Sequence, residues 1–141
     1  MAVLVYGRGM AAASMIIAPH DGDAPGLAVR GSRLVIQDWL AEGLARDVAP
    51  LHVHHGDDEA WHVIAGALRF RFAGEQVIAS AGATVLVPAG VAHTFGNAGP
   101  EPSRYIIILP ARLDEMISLL HEADRAEHAA IYRRYESELL E

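Results

Sequence analysis

Along the first hundred residues, apolar and polar side chains alternate in short runs separated by clusters of turn-forming residues. Alternation with a period of two is the mark of a strand with one face buried. It predicts strands at Met15–Ala18, Leu34–Leu40, Leu51–His54, Glu59–Ile64, Ala67–Phe72, Gln76–Ala79, Thr84–Val87, Ala92–Gly96 and Ser103–Leu109. Glycine, proline, asparagine and aspartate fill the intervals, as at 20–25, 56–58, 88–90 and 97–100. Strands this short and evenly spaced, with no helical stretch between them, predict an antiparallel sandwich or barrel.

The pattern changes after Pro110, beyond which there is neither glycine nor proline. From Leu113 to Leu140 the period becomes helical. Leu113, Met116, Ile117, Leu120 and His121 recur at i, i+3, i+4, i+7 and i+8, opposite a charged face. A second stretch, Glu127–Leu140, places Ala130, Ile131, Arg134 and Tyr135 on one stripe, with a break near Asp124. The expected organisation is all-β over residues 1–110, followed by a helical tail, 111–141, packed on the outside of the same domain.

Composition narrows the function classes. The chain has 141 residues, 52% of them hydrophobic, which suits one domain with a sizeable core. Eleven basic against eighteen acidic residues give a net charge of −7. That balance argues against nucleic acid and anionic membrane surfaces as partners, since both need a positive patch. No apolar run approaches the ~18–20 residues needed to span a bilayer. Met1–Tyr6 is apolar but short and lacks a preceding basic region, so a cytoplasmic location is expected. Cysteine is absent, which removes disulfides, thiolate metal sites and cysteine nucleophiles. Histidine occurs eight times and becomes the chain's distinctive chemical resource.

The histidines concentrate in the segment 51–59, Leu-His-Val-His-His-Gly-Asp-Asp-Glu. On a strand, His52 and His54 project from one face, while Val53 and His55 project from the other. The 56–58 segment can turn the chain, so that Glu59 opens the next strand facing the pair. Two imidazoles and a carboxylate are a common donor set for a divalent transition metal. Some forty residues on, a strand ends in Pro88-Ala-Gly90, a tight turn, and the following strand carries His93. That histidine could complete a set of three nitrogens and one oxygen.

These two segments together resemble the motifs of the cupin superfamily. The first motif, His-x-His, a short gap, Glu, six residues and Gly, is met by His52, His54, Glu59 and Gly66. The second is met at every position by Gly82, Pro88, Gly90, His93 and Asn97. Fifteen residues, Ala67–Ala81, separate them. One departure stands at Arg46, where the family usually has a turn glycine. The resemblance implies a cupin-type double-stranded β-helix, or jelly-roll barrel, holding one divalent transition metal ion through His52, His54, Glu59 and His93. Iron, manganese, nickel, copper and zinc are all compatible with such donors. Asn97 is expected to bridge the loop after its strand. A weaker resemblance, in the terminal helices, is to small quercetin-dioxygenase-like members.

Alternation also nominates residues around the ligands. Trp61 shares a face with Glu59, and Phe95 with His93, so both are expected to line a substrate cavity. Gln37, beside Val35 and Trp39, is a polar candidate for substrate contact if that face points inward. Of Arg104 and Tyr105, the tyrosine is expected inside, because burying an unpaired guanidinium is costly. His20, His55, His62, His121 and His128 are expected to be bystanders. Nothing around Gly7–Gly9 makes a phosphate loop, and no serine lies in a nucleophile elbow.

The leading expectation is a metal-dependent dioxygenase acting on a small organic substrate, with about two positions of an octahedral ion open to substrate and oxygen. Lewis-acid isomerase, lyase or cyclase chemistry, with Glu59 moving between ligand and general base, is the alternative, as is a non-catalytic small-molecule-binding cupin. A homodimer is also expected, with Val3–Tyr6 adding a strand to a neighbour's sheet, unless the helical tail instead covers an edge itself.

Overall fold

The computed structural model describes residues 3–6, 14–17, 27–42 and 46–141. Among them, twelve strands precede or follow two helices: β1 (Val3–Tyr6), β2 (Ser14–Ile17), β3 (Leu27–Arg30), β4 (Leu34–Ala41), β5 (His52–His54), β6 (Glu59–Ala65), β7 (Ala67–Phe72), β8 (Glu75–Ser80), β9 (Thr84–Val87), β10 (His93–Asn97), β11 (Ser103–Pro110), α1 (Ala111–Glu122), α2 (His128–Arg134) and β12 (Ser137–Leu139). A single 3₁₀ turn, Arg125–Glu127, joins the helices at the predicted break near Asp124. The turn at 20–25, with His20, and Gly7–Gly9 lie outside the described residues.

Ten of the strands form two five-stranded antiparallel sheets, in the orders β12-β5-β10-β7-β8 and β3-β4-β11-β6-β9. Rings from the two sheets meet in the interior. Trp61 of one packs edge-on to Phe70 of the other at 5.2 Å, and Phe95 meets Tyr105 at 5.6 Å. Strand alternation sets this core. Along β11, Ser103, Tyr105, Ile107 and Leu109 are buried, while the residues between them are half-exposed. Full burial of Trp61, Leu68, Phe70 and Leu109 stabilises the fold by about 1.5–3 kcal/mol per side chain. Val3–Tyr6 pairs with Ser14–Ile17 of its own chain.

The structure corrects the reading of the tail in two respects. The helix does not run to Leu140: it stops at Arg134, and Glu136 takes a left-handed backbone (φ 53°) that redirects the chain. Ser137–Leu139 then pairs with His52–His54, because the edge of β5 offers unpaired backbone groups that a further helical turn would leave open. The buried stripe of α2 is Ile131, Tyr132 and Tyr135, whereas Ala130 and Arg134 are exposed. The helices turn one face to the sheets and leave the other exposed. Leu113 and Met116 are buried, and Met116, Ile117 and Leu120 form part of a cavity wall, since the inward apolar positions of the sheets need an apolar cover at that end. Sequence reading also passes over β3, which its short length hides although Gly26 and Gly31 bracket it.

Two ties hold the elements in place. Pro110 starts α1 with its fixed φ of −65°. Asp114, in the first turn of α1, accepts hydrogen bonds from Gln37 Nε2 (2.7 Å) and Arg30 Nε (2.8 Å), joining the helix to β4 and β3. On the opposite sheet, residues 46–49 cross β10: Val48 N donates to the Phe95 carbonyl at 2.7 Å, and Thr94 Oγ1 to that of Ala49 at 2.6 Å. Asp47 anchors this segment by accepting from Arg69 and Arg71. Arg46 has no positive φ, so its position does not need the glycine that the motif usually carries. The demand falls on Gly96 instead, where a Cβ would collide with the Arg46 carbonyl oxygen.

Gly96→Ala should therefore force the crossing segment off β10. The expected loss is about 3 kcal/mol or more of folding stability, within the range for strained or overpacked core positions. Urea unfolding of both proteins measures it; an unchanged midpoint would contradict the packing described.

Candidate metal centre

The centre is built by strand pairing. His52 and His54 lie on one face of β5, as alternation requires, with ring centroids 4.8 Å apart. Antiparallel pairing of β10 with β5 sets His93 directly opposite His52, and their rings lie 4.6 Å apart. Glu59 begins β6 in the other sheet and faces the three imidazoles across the interior. Its Oε2 lies 2.9 Å from His93 Nε2 and 3.4 Å from His54 Nε2. The Pro88–Gly90 turn fixes the approach: Gly90, at φ 86°, donates its N–H to the His54 carbonyl at 2.8 Å. The turn of the second motif thus rests on the strand of the first.

Hydrogen bonds decide which ring nitrogens face inward. His52 Nδ1 lies 2.8 Å from the Pro50 carbonyl and His93 Nδ1 2.9 Å from that of Val91. A carbonyl only accepts, so both Nδ1 atoms carry the proton. His54 Nδ1 lies 2.6 Å from Ser137 Oγ, whose own hydrogen is directed to the Tyr135 carbonyl at 3.1 Å. The hydroxyl therefore accepts from Nδ1–H. In their neutral forms all three histidines present Nε2 lone pairs to one point, the orientation that outer hydrogen bonds impose on metal-ligating imidazoles.

The electrostatics agree with a cation at that point. Burial, reinforced by His93, lowers His52 to about 4, so its ring is neutral at pH 7. Burial pushes the Glu59 carboxyl up, but with protons on the facing nitrogens the hydrogen bonds and charges of His54 and His93 outweigh it and hold the group at about 2; a bound cation would take the place of those protons. A buried carboxylate facing inward lone pairs is unfavourable unless a positive charge stands between them. The four donor atoms all lie within 4.8 Å of one another, and all four residues are buried. Donor types, tautomers and charge fit a divalent transition ion.

Above the centre lies a cavity of about 320 Å³. Gln37, Trp61, Phe95 and Tyr105 line it together with the four proposed ligands. Gln37 reaches the cavity with its amide already engaged: Nε2 donates to Asp114, and Oε1 accepts from Trp39 Nε1 at 2.8 Å. Tyr105 points inward, and Arg104 outward to a 2.8 Å ion pair with Asp38. Asn97 bridges the loop after its strand, donating to the Glu101 carbonyl at 3.0 Å and accepting from Ser103 Oγ at 2.5 Å. His62 donates to or accepts from Thr84 Oγ1 outside the cavity, and His55 is exposed beside Glu138.

Sequence reasoning missed what the tail contributes. Tyr132 lies over the ligand pair, edge-on to His52 at 5.5 Å and parallel to the His54 ring at 6.4 Å. Ser137 orients His54. His121 and His128, expected to be bystanders, stand at the cavity wall with Met116 and Leu120. Helical phase could place Met116 and Leu120 on a buried face, but nothing in the sequence signalled Tyr132 or Ser137.

Three histidines and a glutamate converge on the interior of an antiparallel barrel, an arrangement that could hold a metal ion. Residues 44–109 match the family described as Cupin domain. Over that span, a little under half of its length, the chain is similar to a small domain of the cupin superfamily. Among solved structures, a conserved protein with a double-stranded β-helix domain from Klebsiella pneumoniae is 25% identical over 67% of this chain and 77% of that one, with a TM-score of 0.54. A sugar phosphate isomerase from Silicibacter pomeroyi is 22% identical over 56% of this chain and 51% of that one, at 0.51. The polyketide cyclase RemF from Streptomyces resistomycificus is 18% identical over 57% and 56%, at 0.50. The chain thus spans little more than half the length of the last two, and the likeness to them shows the fold. No curated protein sequence matches the chain. Among the described residues, no helix is long and apolar enough to cross a membrane.

Two substitutions test the centre. His93→Ala, which removes an imidazole from the middle of the set, should abolish stoichiometric metal in elemental analysis of purified protein. Ser137→Ala leaves the donors intact but frees His54 Nδ1, and should weaken zinc affinity by about 10–100-fold in a competition titration against a chelator dye. Equal zinc affinity in Ser137→Ala and the parent protein would rule out the orienting role.

Proposed function

We propose that this protein is a metal-dependent enzyme acting on a small organic molecule. The observation that carries the reading is the convergence of three Nε2 lone pairs and one carboxylate at the floor of a cavity of about 320 Å³. Cavities of about 300–1,000 Å³ hold ligands of drug size. A transition metal held by His52, His54, Glu59 and His93 would supply Lewis acidity and, if redox-active, electron transfer to dioxygen.

The chain's own groups supply the rest. The aromatic walls exclude water and orient the substrate, with Trp61 and Phe95 beside the ligands. Burial raises the Tyr105 hydroxyl, and burial together with the Glu59 charge pushes Tyr132 up to about 12. Both phenols stay protonated at neutral pH and can donate hydrogen bonds to a substrate oxygen. The reading we favour is a dioxygenase, in which this dry interior admits substrate and oxygen together. A second reading rests on Glu59. Its carboxylate sits against two imidazoles in a site whose structural relatives include an isomerase and a cyclase, and could carry a proton during enolisation without oxygen. A cytoplasmic homodimer is part of the same proposal; a monomeric mass in light scattering at micromolar concentration contradicts it.

Oxygen consumption separates the two chemistries. With metal-reconstituted protein and a panel of enolic and phenolic compounds, the dioxygenase reading expects oxygen uptake in proportion to substrate lost. Turnover that continues under argon, with no uptake in air, moves the assignment to Lewis-acid chemistry. Saturable binding without turnover of any compound would leave a non-catalytic binding protein.

A further inference from the structure

The charges around the cavity are distributed with a sharp asymmetry. Its walls carry five aromatic side chains, Trp39, Trp61, Phe95, Tyr105 and Tyr132, and the aliphatic face of α1. No arginine among the described residues lines it, and the chain contains no lysine at all. The arginines of the surrounding strands face the other way and are committed to carboxylates: Arg69 and Arg71 to Asp47, Arg104 to Asp38. The ionisable side chains that do line it are those of the proposed metal centre, where a divalent ion would offset the Glu59 carboxylate, and His121 and His128 at the wall.

Away from the metal position, a phosphate entering this space would lose its water and meet no guanidinium or ammonium, only the wall imidazoles of His121 and His128, the second already within 3.3 Å of the Ala123 carbonyl. Recognition of phosphate depends on such donors, usually arginine or lysine, or on backbone N–H groups at a helix start. The cavity offers aromatic faces and two protonated phenols instead, which suit a flat, apolar body with neutral oxygen atoms at one end.

We propose that the ligand of this cavity is an uncharged, largely aromatic small molecule, and that sugar phosphates and other polyanions are not its substrates. This deepens the enzymatic reading and rests on it for the reacting end of the molecule alone; the ring-binding walls exist with or without metal. It also separates this chain from the sugar phosphate isomerase whose fold it shares.

The protein provides its own reporter. It has two tryptophans, Trp39 and Trp61, and both line the cavity. Naphthalene-2,3-diol, neutral at pH 7, and D-glucose 6-phosphate serve as probes. Each is titrated into the full chain, metal-free and zinc-loaded, with tryptophan quenching and calorimetry as paired readouts. The diol should bind the metal-free protein saturably and perturb both tryptophans' emission. It should bind about a hundredfold more tightly than the sugar phosphate, a gap of ~2.7 kcal/mol. Glucose 6-phosphate binding as tightly as the diol to either form overturns the proposal, and so does failure of the diol to bind without metal. If zinc does not bind while the metal-free protein still takes the diol, the metal reading falls and the ligand class stands.

Discussion

A carboxylate held inside an apolar barrel is the constraint around which this molecule is organised. Glu59 is buried and anionic, and its stability there depends on imidazoles from two other strands and on the cation their lone pairs can share. Each histidine must therefore present one particular nitrogen, and each obtains its orientation from a different source. The Pro50 and Val91 carbonyls hold His52 and His93, and a serine eighty-three residues away holds His54. A shift of one residue in the pairing of β5 with β10 would turn the donor set out of the interior.

The C-terminal segment belongs to this arrangement as much as the strands do. The left-handed turn at Glu136 delivers Ser137 to His54, and the preceding helix lays Tyr132 over the ligand pair. The Gln37–Asp114 bond joins α1 to the wall of the cavity and, through Trp39, fixes an indole at its rim. The same residues thus close the barrel, orient a ligand and shape the ligand space. That economy explains why polar groups as deeply buried as Gln37 and Ser137 fit here: each has its hydrogen-bond partners.

Strands β4 to β11 were legible because each carries a period-two pattern between strong turn formers. Alternation put Val35, Gln37 and Trp39 on one face of β4, but which face points inward was decided by the packing of the two sheets. The His-x-His spacing and the Pro-x-Gly turn were legible for a related reason: local geometry alone puts two imidazoles on one face and begins a new strand at His93. The tail misled because 135–140 is short enough to satisfy a helical and a strand pattern alike, and its choice depends on an edge eighty residues earlier. The role of Arg46 was hidden too, since the requirement for glycine lies at Gly96, on the strand that the Arg46 segment crosses.

By itself the sequence determined the barrel strands and the candidate donor set. Those properties follow from residue type and from periods of two or three to four residues, both readable along the chain. Only the tertiary structure decided which nitrogen each histidine presents, that the last strand completes a sheet, and that the cavity is walled by aromatic rings with no arginine among its described lining residues. These are properties of side chains far apart in sequence and adjacent in space, and they are set by how two sheets and a helical cap close on one another.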